Sequence, residues 1–229
     1  MGKTTAIILA AGQGKRMNSE IAKQYLLIAN HPVLYYSIKA FQDSEIDQII
    51  LVTQQGEEQF VDKEIVLPDR FNKVIQIVAG GKERYHSVYE GLKEINGTDY
   101  VLIHDGARPF ITPMIINETL VAVRDKKACV VGVPTKDTIK IVNHEQTVID
   151  TPIRDYVWIT QTPQAFEYSL ILKAYEKLMQ QSLIQVTDDA MVVEQMLNHP
   201  IHMIRGSYYN IKITTPEDLI IAEAMMHDN

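Results

Sequence analysis

The chain has 229 residues, 46% of them hydrophobic, enough for one large core, so a single domain over 1–229 is expected. Lysine and arginine total 22 against 29 for aspartate and glutamate, a net charge of −7, which argues against nucleic acid as a main partner. One cysteine, Cys129, excludes an intrachain disulfide framework; the apolar runs are too short for a membrane span and the N-terminus has no signal-peptide pattern, so a cytoplasmic protein without a membrane role is expected.

In chain order, Thr5–Leu9 reads as a first β-strand. It runs into Gly12, Gly14 and Arg16, with Lys23 soon after. Small residues let backbone N–H groups approach phosphate oxygens, and cations neutralise them, so this loop suits a polyphosphate. On these residues alone an ordinary strand-to-helix turn stays open, as does a solvated Lys23. A dinucleotide loop would want glycine at position 17, which is Met, and Gly2-Lys-Thr-Thr5 lacks the strand and first glycine of a P-loop.

Further strands are expected at Gln48–Thr53, Val74–Val78, Tyr100–His104 and Ala128–Val133. Between them, Pro32 can open a helix whose Leu34, Ile38 and Phe41 share a face. Tyr85, Val88, Leu92 and Ile95 share another, and Pro113 can open a third helix running to about Lys126. This alternation predicts an α/β, Rossmann-like, mostly parallel sheet with helices on both faces, binding ligands beyond the strands' carboxyl ends. After Pro134 it breaks: Thr138–Val142 and Thr147–Pro152 flank Asn143-His-Glu-Gln146 like a protruding β-hairpin arm at about 136–157. Such an arm is marginal alone, so a second subunit is its expected partner. Helices at Tyr168–Met179 and Asp189–Leu197, a strand at His202–Arg205 and a helix opening at Pro216 complete the pattern.

Chemistry-bearing residues recur at the strand ends. Gly80 and Gly81 precede Arg84 and Ser87, where Ser87 can cap a helix or reach a ligand. His104-Asp-Gly-Ala-Arg-Pro109 follows the fourth strand. There Asp105 can coordinate Mg²⁺ that is mostly held by phosphates, and Arg108 can meet a phosphate bidentately, unless the two form an internal pair. Arg154 and Lys212 are cations near element ends that also read as surface charges, and Thr187-Asp188-Asp189 can simply cap the next helix. Successive strand ends lie on one edge of a parallel sheet, so the joint signal exceeds any single motif.

Together with Lys23-Gln-Tyr-Leu26, Thr162-Pro-Gln164, Asn210-Ile-Lys212 and Pro216-Glu-Asp218, these motifs resemble the 2-C-methyl-D-erythritol 4-phosphate cytidylyltransferase (IspD) family, in order, from about Thr4 to Met225. The first motif alone is common to many sugar-nucleotide transferases; the full set belongs to the cytidylyltransferase branch. The resemblance implies transfer of CMP from CTP to methylerythritol phosphate, releasing pyrophosphate, with Mg²⁺ and in a homodimer. It implies that Arg16 and Lys23 stabilise the transition state and that Arg154 and Lys212 position the polyol phosphate, these four forming the catalytic set. Ala10, Ala11, Gly12 and Gly14 would line the triphosphate loop, and Gly81, Ser87, Gly106 and Ala107 would hold the cytidine. Asp105, Arg108, Thr138, Arg154, Thr187 and Lys212 would meet the second substrate, Asp105 also the metal; Thr138 and Arg154, on the arm, would serve the partner subunit's site. Lys82 departs from an acidic residue found in some members, so no nucleotide role carries over to it. Gly106 stands where others have alanine, a change a main-chain contact survives.

The alternatives are a ribitol-5-phosphate cytidylyltransferase, which shares several of these segments, and a non-catalytic nucleotide-binding protein; a nicotinamide oxidoreductase is more remote. Ala10-Ala-Gly12 and Asp105-Gly-Ala-Arg108 resemble the isoprenoid enzymes rather than the ribitol ones.

Overall fold

The computed structural model describes residues 2–12, 21–181 and 185–227. Strand β1 (Thr4–Ala10) is followed by a small antiparallel pair, β2 (Leu27–Ile28) and β3 (His31–Pro32), and by helix α1 (Val33–Gln42). Then come β4 (Gln48–Thr53), α2 (Glu58–Val61) with a π-helical turn over Asp62–Val66, β5 (Val74–Ala79) and α3 (Arg84–Lys93). Next are β6 (Tyr100–Asp105), α4 (Pro113–Lys126) and β7 (Ala128–Pro134). The arm carries β8 (Ile141–Val142) and β9 (Val148–Asp150). Beyond it lie β10 (Trp158–Glu167), α5 (Tyr168–Leu178), α6 (Asp189–Leu197), β11 (His202–Arg205) and α7 (Pro216–His227).

The central sheet has the strand order β11-β7-β10-β6-β1-β4-β5. β10 runs antiparallel to both β6 and β7, and the other pairings are parallel. Chain connection gives the reason: β7 leads through the arm straight back into β10 without a crossover helix, and such a return is antiparallel. The arm is thus the projecting end of one long hairpin, closed at its base by Thr135 N–H donating to Val157 O at 2.9 Å. The sequence pattern does not announce β10, because Pro163 argues against a central strand. A register shift between Thr160 and Gln164 accommodates the proline in an irregular stretch of the ladder.

Strands buried on both faces read as continuous apolar runs, and successive residues serve opposite cores. Ile8, Leu51 and Leu102 pack with Leu34, Ile38 and Phe41 of α1 and Ile116 and Leu120 of α4. Ile7, Ile50 and Ile103 pack on the other face with Val88 and Leu92 of α3 and Tyr175 of α5. Pro113 opens α4 as expected, with Thr112 as N-cap. A smaller cluster of Ile28, Val33, Ile213 and Ala222 docks α7, and Ile213 N–H donates to Ala107 O at 2.8 Å. That bond draws the segment before α7, with Lys212, to the carboxyl end of β6.

Ile8→Ala, at a fully buried site, is expected to cost about 2–5 kcal/mol. Ile75→Ala, on the exposed side of edge strand β5, should change stability by less than about 0.5 kcal/mol. Urea unfolding of the two variants measures the contrast.

Candidate functional site

A cleft of about 780 Å³ opens at the carboxyl edge of the sheet. Ala10, Ala11 and Gly12 enter it from the end of β1, and Gly80 and Gly81 from the end of β5. Asp105 and Ala107 close it at the end of β6, with Lys23 and Lys212 also in the wall.

The walls depend on close backbone approach. A Cβ on Gly80 would lie 2.5 Å from Ala11 Cβ and 2.7 Å from Ser87 Oγ, so a side chain there would force the two strand-end loops apart. Gly80 N–H also donates to Thr53 O at 2.7 Å. Ser87 is not the helix cap: Glu83 caps α3 in a reciprocal arrangement with His86. Ser87 Oγ instead accepts from Gly81 N–H at 3.1 Å and shapes the loop. Three consecutive side chains then tie the segment after the first loop to three different parts of the fold. Lys23 Nζ donates to Ile213 O at 3.0 Å, Gln24 Nε2 to Ala10 O at 2.6 Å and Tyr25 Oη to Glu57 at 2.6 Å.

At the deep end, cations gather on one carboxylate. Arg84 Nε donates to Asp105 Oδ1 at 3.2 Å, and Lys212 Nζ to Asp105 Oδ2 at 2.6 Å. Burial by itself would raise the Asp105 pKa; the Arg84, Lys212 and Arg108 charges overcome it and hold the carboxyl well below the usual carboxylate range. Arg84 also donates bidentately to the fully buried Asp189, at 2.9 and 2.8 Å. Burial works against the Arg84 charge, and Asp189 with Asp105 more than restores it.

The neighbouring His104 is buried and neutral. Asp105 N–H donates to Thr162 Oγ1 at 3.0 Å, and that hydroxyl lies 3.0 Å from His104 Nδ1. His104 Nε2 lies 3.4 Å from Arg108 O, an acceptor, which assigns the ring proton to Nε2 and makes Nδ1 the acceptor of the Thr162 hydroxyl. Burial drives the imidazole pKa down to about 3, despite the upward pull of Asp105. With both ring nitrogens engaged, His104 fixes the strand end and is not free to act as a base.

Of the expected site residues, Ala10, Ala11, Gly12, Lys23, Gly81, Ser87, Asp105, Ala107 and Lys212 meet at the cleft. Gly14 and Arg16 lie outside the described residues. Gly106 sits just behind the wall, where a Cβ would lie 2.7 Å from Leu34 Cδ1 and 2.9 Å from Leu9 O. Arg108 does not pair closely with Asp105: its Nε is 4.0 Å from Oδ2, while Nη1 donates to Asn210 O at 2.8 Å. Thr138 and Arg154 are on the exposed arm, outside the cleft lining, with Arg154 Nη1 3.5 Å from Lys136 O. Thr187 also lies outside it, its hydroxyl 3.6 Å from Met191 Sδ. In the Thr187-Asp188-Asp189 stretch only Asp188 caps α6, accepting from Met191 N–H at 2.9 Å. The roles of Arg84 and Asp189 escape sequence reasoning; the one signal was Arg84 recurring beside the second glycine pair. Among the described residues, no group of three or more His, Cys, Asp or Glu side chains is disposed to hold a metal ion.

Comparison with known proteins gives concordant matches. The family model described as IspD, 2-C-methyl-D-erythritol 4-phosphate cytidylyltransferase, matches residues 4–228. The 2-C-methyl-D-erythritol 4-phosphate cytidylyltransferase of Lachnoclostridium phytofermentans is 52% identical over 229 residues, covering 100% of this chain and 98% of that protein. That of Alkaliphilus oremlandii is 49% identical over 228 residues, covering 99% and 96%. The crystal structure of 4-diphosphocytidyl-2C-methyl-D-erythritol synthase from Anaerococcus prevotii superposes with a TM-score of 0.89 at 37% identity, over 99% of this chain and 96% of that one.

The His104 environment sets a pH test. The unfolded chain takes up this proton near pH 6.5, the folded chain only near pH 3. The contribution is therefore whole above about pH 6.5 and is lost as pH falls towards 3. Between pH 6 and 4, wild-type stability should fall by up to about 1.4 kcal/mol per pH unit from this group. His104→Gln should flatten that part of the slope in urea unfolding series, whatever its own stability.

Proposed function

The chain belongs to the 2-C-methyl-D-erythritol 4-phosphate cytidylyltransferase family, and on that premise we propose how its residues divide the work of the reaction. The reaction is transfer of CMP from CTP to 2-C-methyl-D-erythritol 4-phosphate, giving CDP-methylerythritol and pyrophosphate in the non-mevalonate isoprenoid pathway. The observation that carries the assignment of roles is the convergence of cations from separate chain segments on Asp105 beside a glycine-walled cleft.

The nucleophile is a phosphate monoester oxygen, largely deprotonated at neutral pH because the second pKa is about 6. No general base is needed, which agrees with a neutral, fully engaged His104 and an Asp105 tied to cations. The obstacle is bringing one anion onto another. Lys23 and Arg16 are assigned to the triphosphate, where charge builds at the α-phosphorus, and Lys212 and Arg154 to the polyol phosphate. Ala10, Ala11, Gly12 and Gly14 offer main chain to the triphosphate; Gly81, Ser87, Gly106 and Ala107 surround the cytidine. Arg108 and Thr187 complete the polyol phosphate side. Catalysis is then positioning plus electrostatic stabilisation.

A lone carboxylate beside phosphates is the usual protein share of a Mg²⁺ site. Asp105 fits that share, since each of its oxygens keeps a lone pair after accepting from Arg84 or Lys212. Asp105 would hold Mg²⁺ together with the triphosphate, where the ion supplies charge neutralisation. A homodimer fits the arm, which exposes Ile139, Ile141, Val142, Val148, Ile149 and Ile153, and leaves Tyr156 82% exposed. In that dimer Thr138 and Arg154 reach the partner subunit's cleft. A cytoplasmic location goes with this reading, since both substrates are multiply charged phosphates that do not cross a membrane unaided.

Pyrophosphate release with Mg²⁺ and CTP is expected to be faster with methylerythritol phosphate than with ribitol 5-phosphate; the reverse order would overturn the polyol assignment. Lys23→Ala should lower kcat by at least about 10²-fold, as for loss of one preorganised donor, and a near-normal kcat would remove Lys23 from the transition state. Ile149→Asp should shift light-scattering mass from dimer to monomer and cut turnover with it.

A further inference from the structure

Asp189 is fully buried at the start of α6, yet the neighbouring Asp188 makes the cap. Both Asp189 oxygens accept from Arg84, and Oδ1 also accepts from Tyr175 Oη at 2.5 Å. Its place is fixed from the sheet: Gln164 Nε2 donates to Asp188 Oδ2 at 2.9 Å, and Gln164 Oε1 accepts from Ala190 N–H at 2.8 Å. Arg84 thus spends Nη1 and Nη2 on Asp189 and turns Nε to Asp105 Oδ1, whose other oxygen holds Lys212. Tyr175, Asp189, Arg84, Asp105 and Lys212 form one hydrogen-bonded series from a buried hydroxyl on α5 to the cleft wall.

We propose that Asp189 is a positioning residue of the transfer site: by holding both terminal nitrogens of Arg84 it fixes the guanidinium in the orientation in which Nε alone meets Asp105, and so reserves the second Asp105 oxygen for Lys212. The proposal rests on the assignment of Lys212 to the polyol phosphate. Guanidinium groups favour bidentate pairing with carboxylates. Without the Asp189 charge, the Arg84 fork turns onto both oxygens of Asp105, and Lys212 loses its anchor. The consequence falls on the substrate Lys212 meets. A merely structural Asp189 would instead lower the melting temperature and the active fraction, leaving both KM values unchanged.

The test compares Asp189→Asn and Tyr175→Phe with the wild type in steady-state pyrophosphate release. Asp189→Asn is expected to raise KM for methylerythritol phosphate about tenfold, the size of coupling seen between residues of one network. KM for CTP should stay within about twofold, as in uncoupled sites. Tyr175→Phe, which removes only the hydroxyl, should move the same KM in the same direction by less, and it decides the matter if Asp189→Asn does not fold. Equal changes in both KM values, or a fall in kcat alone, overturn the proposal. A crystal structure of the unliganded variant needs no substrate. Arg84 bidentate on Asp105, with Lys212 Nζ out of hydrogen-bond reach, supports the relay; a retained Lys212–Asp105 contact overturns it. A wild type that does not turn over methylerythritol phosphate defeats the functional reading, and the variant structure still decides on Asp189.

Discussion

The carboxylate of Asp105 is the point on which the site depends. Arg84 comes from the first turn of α3, Lys212 from the segment before α7 and Arg108 from the loop after β6, and all three face it within 4.0 Å. Cations held that close repel one another unless an anion stands between them. Asp105 supplies that anion at the end of β6, a buried strand held between β1 and β10. A chain with a net charge of −7 thereby gathers cations at one edge of its sheet.

The neutral groups behind Asp105 keep it there. Its N–H is taken by Thr162, whose hydroxyl meets the buried His104, and His104 meets Arg108 O. Thr162 lies in the irregular part of β10, so the return strand of the long hairpin braces the site from one side. The same hairpin projects the apolar arm from its other end. Site geometry and the exposed apolar arm are thus built on one element.

Much of this was legible in the sequence. The apolar runs that became β1, β4, β6 and β7 are buried on both faces, so no polar alternation obscures them, the run of edge strand β5 is legible from its apolar, β-branched residues, and Pro113 and Pro216 mark two of the helix starts. The glycines at 12, 80 and 81 and the cations at 23 and 212 sit at element ends, so a parallel sheet brings them to one cleft. Less legible was β10, because a proline within a strand signals against it unless the ladder is locally broken. The Asp105–Arg108 spacing left an internal pair open beside a phosphate contact; the structure makes that pair a long one, Nε 4.0 Å from Oδ2, with Nη1 donating to Asn210 O. Asp188 and Asp189 look alike as caps; burial separates them, since one faces its own helix N-terminus and the other a guanidinium 105 positions away in sequence.

By itself, the sequence determined which residues are apolar on both sides of a strand, where glycine permits close backbone approach and which cations lie at strand ends. These are local properties, carried by side-chain type and spacing. Only the tertiary structure decided which cation meets which acid. That choice depends on strand order, on the antiparallel return of β10 and on the docking of the segment before α7 against Ala107. The pairing of Arg84 with Asp189, and of Lys212 with Asp105, joins segments more than 100 positions apart. No local pattern encodes such a contact, because burial and distance arise only once the sheet has formed.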